Sequence, residues 1–206
     1  MGHRIRTVDV FTDSALAGNQ LAVVLAADGI PADRMQAIAK EMNLSETVFV
    51  LSPELPGSTA RLRIFTPGTE LPFAGHPTIG TSWVLWDEGL VARDADEFVL
   101  EEGVGLVRVR IDRSGAVPRF WMTHPEVRFG RIFENREAVA QALGLSEDAL
   151  VEGMPIQAVS TGVPFTFVAL KGIAEVDAAI SDRRCPCRCA GAGGPGPGAA
   201  VRGCRP

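Results

Sequence analysis

Two periodicities of hydrophobic and polar positions run along this chain, one typical of strands and one typical of helices. Short, β-branched and partly alternating segments predict early strands at RTVDVFT, QLAVVLA, TVFVLS and RLRIFT. Between the second and the third, ADRMQAIAKEMN repeats its apolar positions at helical spacing and ends at Asn43, which is suited to a C-terminal cap. The pattern predicts a mixed α+β protein.

The later part of the chain repeats this arrangement. FVLEEGVGLVRVRIDRSGAVPRFWMTH predicts three strands, HPEVRFGRIFEN a crossover, and NREAVAQALGLSEDAL a helix that breaks at Gly144. IQAV, a turn containing Thr161-Gly162, PFTFVAL and a helix then follow the same order as VDVF, a turn containing Gly18-Asn19, QLAVVL and a helix. This repetition is consistent with two similar α+β halves that face each other.

Composition and charge narrow the class of protein. The 206 residues are 46% hydrophobic and carry a net charge of -5, which permits a sizeable core but gives no indication of nucleic-acid binding. With 6% aromatic residues and no tyrosine, the chain also lacks the stacking platforms of single-strand binders. No apolar run has the length of a membrane span, and the N-terminus passes into a strand pattern without a signal-peptide stretch. We therefore expect a cytoplasmic protein with no nucleic-acid or membrane partner.

The final segment, residues 181–206, differs in composition from the rest. It is rich in Gly, Pro and Arg, and it contains all four cysteines, Cys185, Cys187, Cys189 and Cys204. So little apolar surface cannot offset the entropy of ordering the backbone, and we expect this tail to be disordered. The cysteine spacing, without a histidine, does not match a structural zinc site, so no metal is expected. The abrupt change of composition resembles the product of a frameshift in a GC-rich gene.

The stretch ELPFAGHPTIG contains the first candidate site. A strand-like run ends at Ala74-Gly75-His76-Pro77, and an apolar helical stretch begins at once. His76 occupies the position expected for a helix N-cap, Pro77 suits the first helical position, and Gly75 permits close approach of a ligand to the backbone. The amides that follow, 78–80, would then face an anion at the positive end of the helix. The alternative is a helix start without a ligand site.

The segment NLSETVFV contains the second candidate site. Glu46 precedes a fully apolar run, and if its side chain faces inward, desolvation raises the pKa of the carboxyl toward neutrality. Such a carboxyl can remove a proton from carbon and return it elsewhere. The alternative is a strand-edge glutamate in water beside a capping Ser45. Gly18-Asn19 fits either a substrate contact or a tight turn, and His124 is interpreted as a loop residue.

Taken in order, these segments resemble the PhzF family of phenazine biosynthesis, whose fold is that of diaminopimelate epimerase. The blocks that carry the resemblance are DVFTDSALAGNQLAVVL, MQAIAKEMNLSETVFVL, RIFTPGTELPFAGHPTIGT and IQAVSTGVPF, from about Thr7 to about Ile180. The resemblance implies an α+β fold of two pseudo-symmetric halves, each with a sheet around a central helix. One family block, similar to D-P-x-T-G-S-A, has no counterpart in residues 181–206. The expected organisation is therefore a first half (1–127), an incomplete second half (128–180) and the tail (181–206).

The resemblance also implies a function and a site. It makes Glu46 the acid/base that moves a proton on a small cyclic carboxylate, and it places Ser45, Gly75 and His76 against that substrate, without a metal or an organic cofactor. It leaves a homodimer open. Because the block that would complete the second wall of the site is missing, an inactive remnant or a small-molecule binding module is the alternative to an isomerase.

Overall fold

The computed structural model describes residues 2–180 of the 206. The chain divides into two compact units, Met1–Pro125 and Glu126–Pro206, and the division falls close to the boundary expected after residue 127. The segment predicted to be disordered, with its four cysteines, lies outside the described residues.

The first unit is built on an eight-stranded sheet. Its strands are β1 (Ile5–Val10), β2 (Asn19–Val24), β3 (Glu46–Leu51), β4 (Ala60–Phe65), β5 (Glu70–Leu71), β6 (Glu97–Glu102), β7 (Gly105–Asp112) and β8 (Arg119–Met122). They are ordered β1-β2-β3-β4-β6-β7-β8, and β5 pairs with β4. Pairing is antiparallel except between β2 and β3 and between β4 and β6. Parallel neighbours require a crossover, and a helix supplies each one: α1 (Ala32–Met42) and α2 (Gly75–Asp87).

The helix α2 lies at the centre of this unit. It is apolar on most of its circumference, which is typical of a buried helix. It contacts both β1 and β8, the two ends of the strand order, as well as β2 and β3. A sheet whose two ends reach the same helix must curl around it, and the first half therefore has the predicted sheet around a central helix. Within residues 2–180, no helix is at once long and apolar enough to cross a membrane.

The helix α1 covers the opposite face of the sheet. Met35 and Ala39 are fully buried there, against Phe49 and Phe65. Asn43 ends the helix in the left-handed conformation (φ 52°), and its backbone N–H donates to the carbonyl of Ala39. This confirms the C-terminal cap that the sequence predicted.

The second unit has its own small sheet and core. The sheet is ordered β11 (Pro164–Phe167), β10 (Gln157–Ser160) and β9 (Arg128–Ile132), and the helices are α3 (Arg136–Ala142) and α4 (Ile173–Ala178). The crossover predicted for HPEVRFGRIFEN is wrong, because its central residues form β9, paired antiparallel with β10. The break at Gly144 is confirmed: α3 ends just before it, and its φ of 67° leaves the helical region. A buried cluster holds the unit together: Ala140, Leu143, Leu150, Ile156 and Val168.

Gly80 provides a test of how closely α2 packs on the sheet. A Cβ at this position would lie 2.6 Å from Val10 Cγ2 and 2.7 Å from Leu21 Cδ2, both buried. Such overpacking costs roughly 1–3 kcal/mol, which exceeds the roughly 0.5–1 kcal/mol that alanine gains over glycine in a helix. We therefore expect Gly80→Ala to lower the free energy of unfolding, measured by urea titration. As control, Gly115→Ala should change it by less than about 0.5 kcal/mol, since its nearest neighbour would be 3.6 Å away. A higher unfolding midpoint for Gly80→Ala would contradict this packing.

Candidate active site

Glu46 is the first residue of β3 and faces α2. It is aligned with Leu21 of the parallel neighbour β2. Side chains alternate between the two faces of a strand, so Glu46 shares a face with Val48 and Val50, which belong to the core around α2. Phe49 points to the other face and packs under α1. The alternation of β3 therefore directs the carboxylate toward the central helix.

The helix α2 begins earlier than the sequence predicted. Its N-cap is Ala74 (φ -155°, ψ 135°) and its first residue is Gly75, so the assignment of His76 as the N-cap is wrong. Pro77 is tolerated throughout the first turn, where its missing N–H is not needed. Its position therefore does not identify the residue at which α2 begins. The amides ahead of the first intrahelical bond belong to residues 74–76. The amide of Thr78, predicted to face an anion, instead donates to the Ala74 carbonyl at 3.3 Å.

The fold brings Glu46 and His76 into contact. His76 Nε2 lies 3.4 Å from Glu46 Oε2, and the side chains are 11% and 17% exposed, respectively. The interpretation of Glu46 as a strand-edge glutamate in water is therefore wrong, because the side chain is largely enclosed against α2. The carboxylate can accept a proton, and the positive end of the helix beside it can hold an anionic group.

The other two candidates lie next to this pair. Gly75 precedes His76 in the first turn of α2, and a Cβ there would come within 3.3 Å of Met122 Cε. Ser45 is exposed and connects α1 to Glu46. Chain connectivity thus places Ser45 beside Glu46 and Gly75 beside His76, while contact of these residues with a substrate stays a prediction.

Two weaker candidates have structural explanations. A Cβ on Gly18 would lie 2.6 Å from the carbonyl oxygen of Val10, so the tight connection between β1 and β2 itself requires glycine. The ring of His124 packs against Phe73 at a centroid distance of 5.4 Å. Its interpretation as a loop residue holds, since no strand or helix contains it.

One buried carboxyl near α2 was not identified from the sequence. Glu102 ends β6, is 8% exposed, and its Oε1 lies 2.6 Å from the hydroxyl of Thr78. Burial raises the pKa of Glu102 to about 7, although the hydrogen bond with Thr78 opposes the shift. The alternation of side chains along β6 could have indicated this burial, because Glu102 lies on the same face of the strand as the buried Phe98 and Leu100.

Comparison with known families gives one match over most of the chain. The model of the family described as phenazine biosynthesis-like protein (PhzC-PhzF) matches residues 8–200. The match includes every candidate residue of the site and continues beyond Ile180, where the sequence motifs ended.

Two curated relatives are named as isomerases. An uncharacterized isomerase of Mesorhizobium japonicum is 43% identical over 175 residues, which cover 83% of this chain and 56% of the relative. The trans-2,3-dihydro-3-hydroxyanthranilate isomerase of Pseudomonas aeruginosa is 39% identical over 186 residues, which cover 90% of this chain and 63% of the relative. The chain therefore spans less than two thirds of the length of these relatives.

Solved structures agree with the fold. A protein from Pseudomonas aeruginosa, described as a predicted epimerase, superposes with a TM-score of 0.76 at 31% identity, covering 88% of this chain and 64% of that one. The α+β class and the epimerase-like fold expected from the sequence are thereby confirmed.

Proposed function

The chain belongs to the phenazine biosynthesis-like (PhzC-PhzF) family, and from this premise we propose that it is an isomerase that moves a proton on a small cyclic carboxylate. The proposal needs no cofactor, because a side-chain carboxyl can both remove and return a proton if the substrate itself delocalises the electron pair left on carbon. The relatives' names support the reaction class, and the contact between Glu46 and His76 supports the site.

Glu46 is the proposed acid/base. Its carboxylate takes a proton from a carbon of the substrate, the C–H electron pair enters the conjugated system, and the protonated carboxyl, after exchange of its proton with solvent, delivers a proton to a second carbon. Atoms and charge balance without a co-reactant, since the product is an isomer. The single observation that carries this assignment is the contact of Glu46 Oε2 with His76 Nε2 at 3.4 Å in a largely enclosed position, which supports Glu46 as a base near the start of α2.

The first turn of α2 is the proposed anchor of the substrate. The positive end of a helix favours an anion, so the substrate's carboxylate is proposed to lie against the amides of Gly75 and His76. The imidazole of His76 would then stand between this anchor and Glu46, where a donated hydrogen bond can stabilise the negative charge that develops during proton transfer. Ser45 is proposed to contact the polar edge of the substrate.

The experiment uses trans-2,3-dihydro-3-hydroxyanthranilate, the substrate named for the relative from Pseudomonas aeruginosa. The 206-residue chain is incubated with it in D₂O, and the product is analysed by NMR and mass spectrometry. We expect isomerisation with deuterium at the carbon that is protonated. Binding detected by calorimetry without isomerisation or exchange would instead favour the binding module, and neither binding nor exchange would overturn this substrate class.

A further inference from the structure

The hydroxyl of Thr78 lies between two acceptors inside the first unit. It is 2.8 Å from the carbonyl oxygen of Ala74, one helical turn earlier, and 2.6 Å from Oε1 of Glu102. Thr78 is fully buried and Glu102 is 8% exposed. Ala74 is the N-cap of α2 and is followed directly by Gly75 and His76. The chain of contacts from Glu102 through Thr78 to Ala74 therefore ends at the backbone of the candidate active site.

One hydroxyl carries one hydrogen, and the Ala74 carbonyl can only accept. If Glu102 is protonated, its carboxyl donates to Thr78 and the hydroxyl donates to Ala74, so both short contacts are hydrogen bonds. If Glu102 is ionised, the carboxylate can only accept, and Thr78 can satisfy either Glu102 or Ala74 but not both. A charge-assisted bond is the stronger of the two, and the hydroxyl would therefore turn away from the helix start.

We propose that Glu102 is a proton-dependent positioning residue, which in its protonated form fixes the Ala74–His76 turn through Thr78 and on ionisation releases the side-chain bond to Ala74. The proposal concerns the conformation of this turn and does not require that the chain turn over a substrate. Glu102 is not offered as a proton donor to the substrate, since it acts on the site through Thr78 and the backbone.

The charged groups near Glu102 do not determine its protonation. Within residues 2–180, burial raises the pKa of Glu102 and the Thr78 hydroxyl lowers it, and neither a cation nor a second carboxylate contributes. Most neighbouring ions already have partners: Glu101 accepts the amides of Glu54 and Leu55, and Glu97 pairs with Arg108. The ionisable groups on the elements packed nearby are Glu97 and Glu101 on β6, Arg108, Arg110 and Asp112 on β7, Arg61 and Arg63 on β4, Glu70 on β5, His76 and Asp87 on α2, and His124 beside Phe73.

This change of hydrogen bonding would occur near neutral pH, because burial raises the pKa of Glu102 to about 7. The carboxyl therefore keeps its proton in the folded protein over a pH range where the unfolded chain, in which a glutamate has its ordinary pKa of 4.5, has lost it. The folded state binds more protons in this window, so the contribution of Glu102 to stability is fully present below about pH 4.5, declines as pH rises, and is lost above about pH 7.

The test follows the 206-residue chain by NMR from pH 5.5 to pH 8.5. The side-chain carboxyl carbon of Glu102 should titrate near neutrality, and the backbone amides of residues 74–76 and 78 should shift with the same midpoint. Loss of the side-chain bond is expected to lower the hydrogen-exchange protection of the Thr78 amide, which donates to the Ala74 carbonyl, by roughly 2- to 10-fold above the midpoint. Protection factors are corrected for the intrinsic pH dependence of exchange.

Three variants separate positioning from a merely structural role. Glu102→Gln keeps a donor toward Thr78 at every pH. The amides of residues 74–76 and 78 should therefore lose the titration assigned to Glu102, although this variant leaves the side chains of His76 and Glu46 unchanged. Thr78→Ser keeps the hydroxyl and should keep the coupling, whereas Thr78→Val should uncouple the amides although Glu102 still titrates. The proposal is overturned if Glu102 titrates below pH 5, or if Glu102→Gln leaves the pH dependence of these amides unchanged. Should Glu102→Gln fail to fold, equal coupling in Thr78→Ser and Thr78→Val would overturn it.

Discussion

Replacement of Glu46 by glutamine is expected to slow proton transfer by about 10²–10⁴-fold, the contribution typical of a general acid/base. Glutamine keeps the shape of the side chain and can still contact His76, but its amide cannot accept the proton from carbon. The loss should appear in kcat rather than in KM, because the anchor at the start of α2 is untouched. It is measured as the rate of isomerisation and of deuterium incorporation from solvent.

A matched glutamate serves as the control. Glu41 lies on the exposed surface of α1, a few residues before Glu46 in the chain, and Glu41→Gln removes the same charge without entering the site. We expect this variant to keep the wild-type rate within about 2-fold, since its only effect is a screened surface charge. Unchanged deuterium incorporation in Glu46→Gln would remove Glu46 from its proposed role, and an equal loss in both variants would attribute the effect to net charge.

Much of the first unit could be predicted from local sequence because local rules determine it. The apolar spacing of α1 and the cap at Asn43 depend on residues within one helix, and both are observed. The segment RFGRI was interpreted as part of a crossover. In the structure all five of its residues are exposed, so this strand has no alternation of burial that a sequence pattern could reflect. The bonds of β9 to β10 come from a segment far along the chain, and a local pattern does not contain them.

The candidate site could be predicted only in part, because the contact between its residues also depends on segments that are distant in the chain. The local pattern identified Glu46 and His76 as candidates and the resemblance gave them roles, but their contact depends on a sheet that curls around α2, which is a property of the whole first unit. The start of α2 was misplaced because Pro77 is compatible with any position of a first turn. Glu102 was not among the candidates, although Leu100 shares its face of β6.

The largest effect on stability is expected for Phe49→Ala. Phe49 is fully buried on β3, and its ring meets that of Phe65 edge to face at 5.4 Å and 88°. Truncation removes this pair and leaves a cavity beneath α1, for which about 3–5 kcal/mol is typical. Domains of this size are stable by about 5–15 kcal/mol, so the variant should unfold at much lower urea concentration.

Tryptophan fluorescence measures this loss selectively. The three tryptophans, Trp83, Trp86 and Trp121, all lie in the first unit, and the chain contains no tyrosine. Leu106→Ala is the control, because Leu106 is 58% exposed on β7 and should change the free energy of unfolding by less than about 0.5 kcal/mol. Equal midpoints for Phe49→Ala and Leu106→Ala would show that the cluster under α1 contributes little.

Phe49→Ala and Glu46→Gln should fail in opposite ways, although the two residues share one strand. Phe49 faces α1 and Glu46 faces α2, so the cavity left by Phe49→Ala opens on the side of the sheet away from the candidate site. At a temperature where both variants are folded, Phe49→Ala should therefore keep proton transfer per folded molecule, while Glu46→Gln keeps the unfolding midpoint and loses the rate. A Phe49→Ala protein that is folded by fluorescence yet as slow as Glu46→Gln would mean that the packing under α1 positions the carboxylate, and that the two faces of β3 do not act independently.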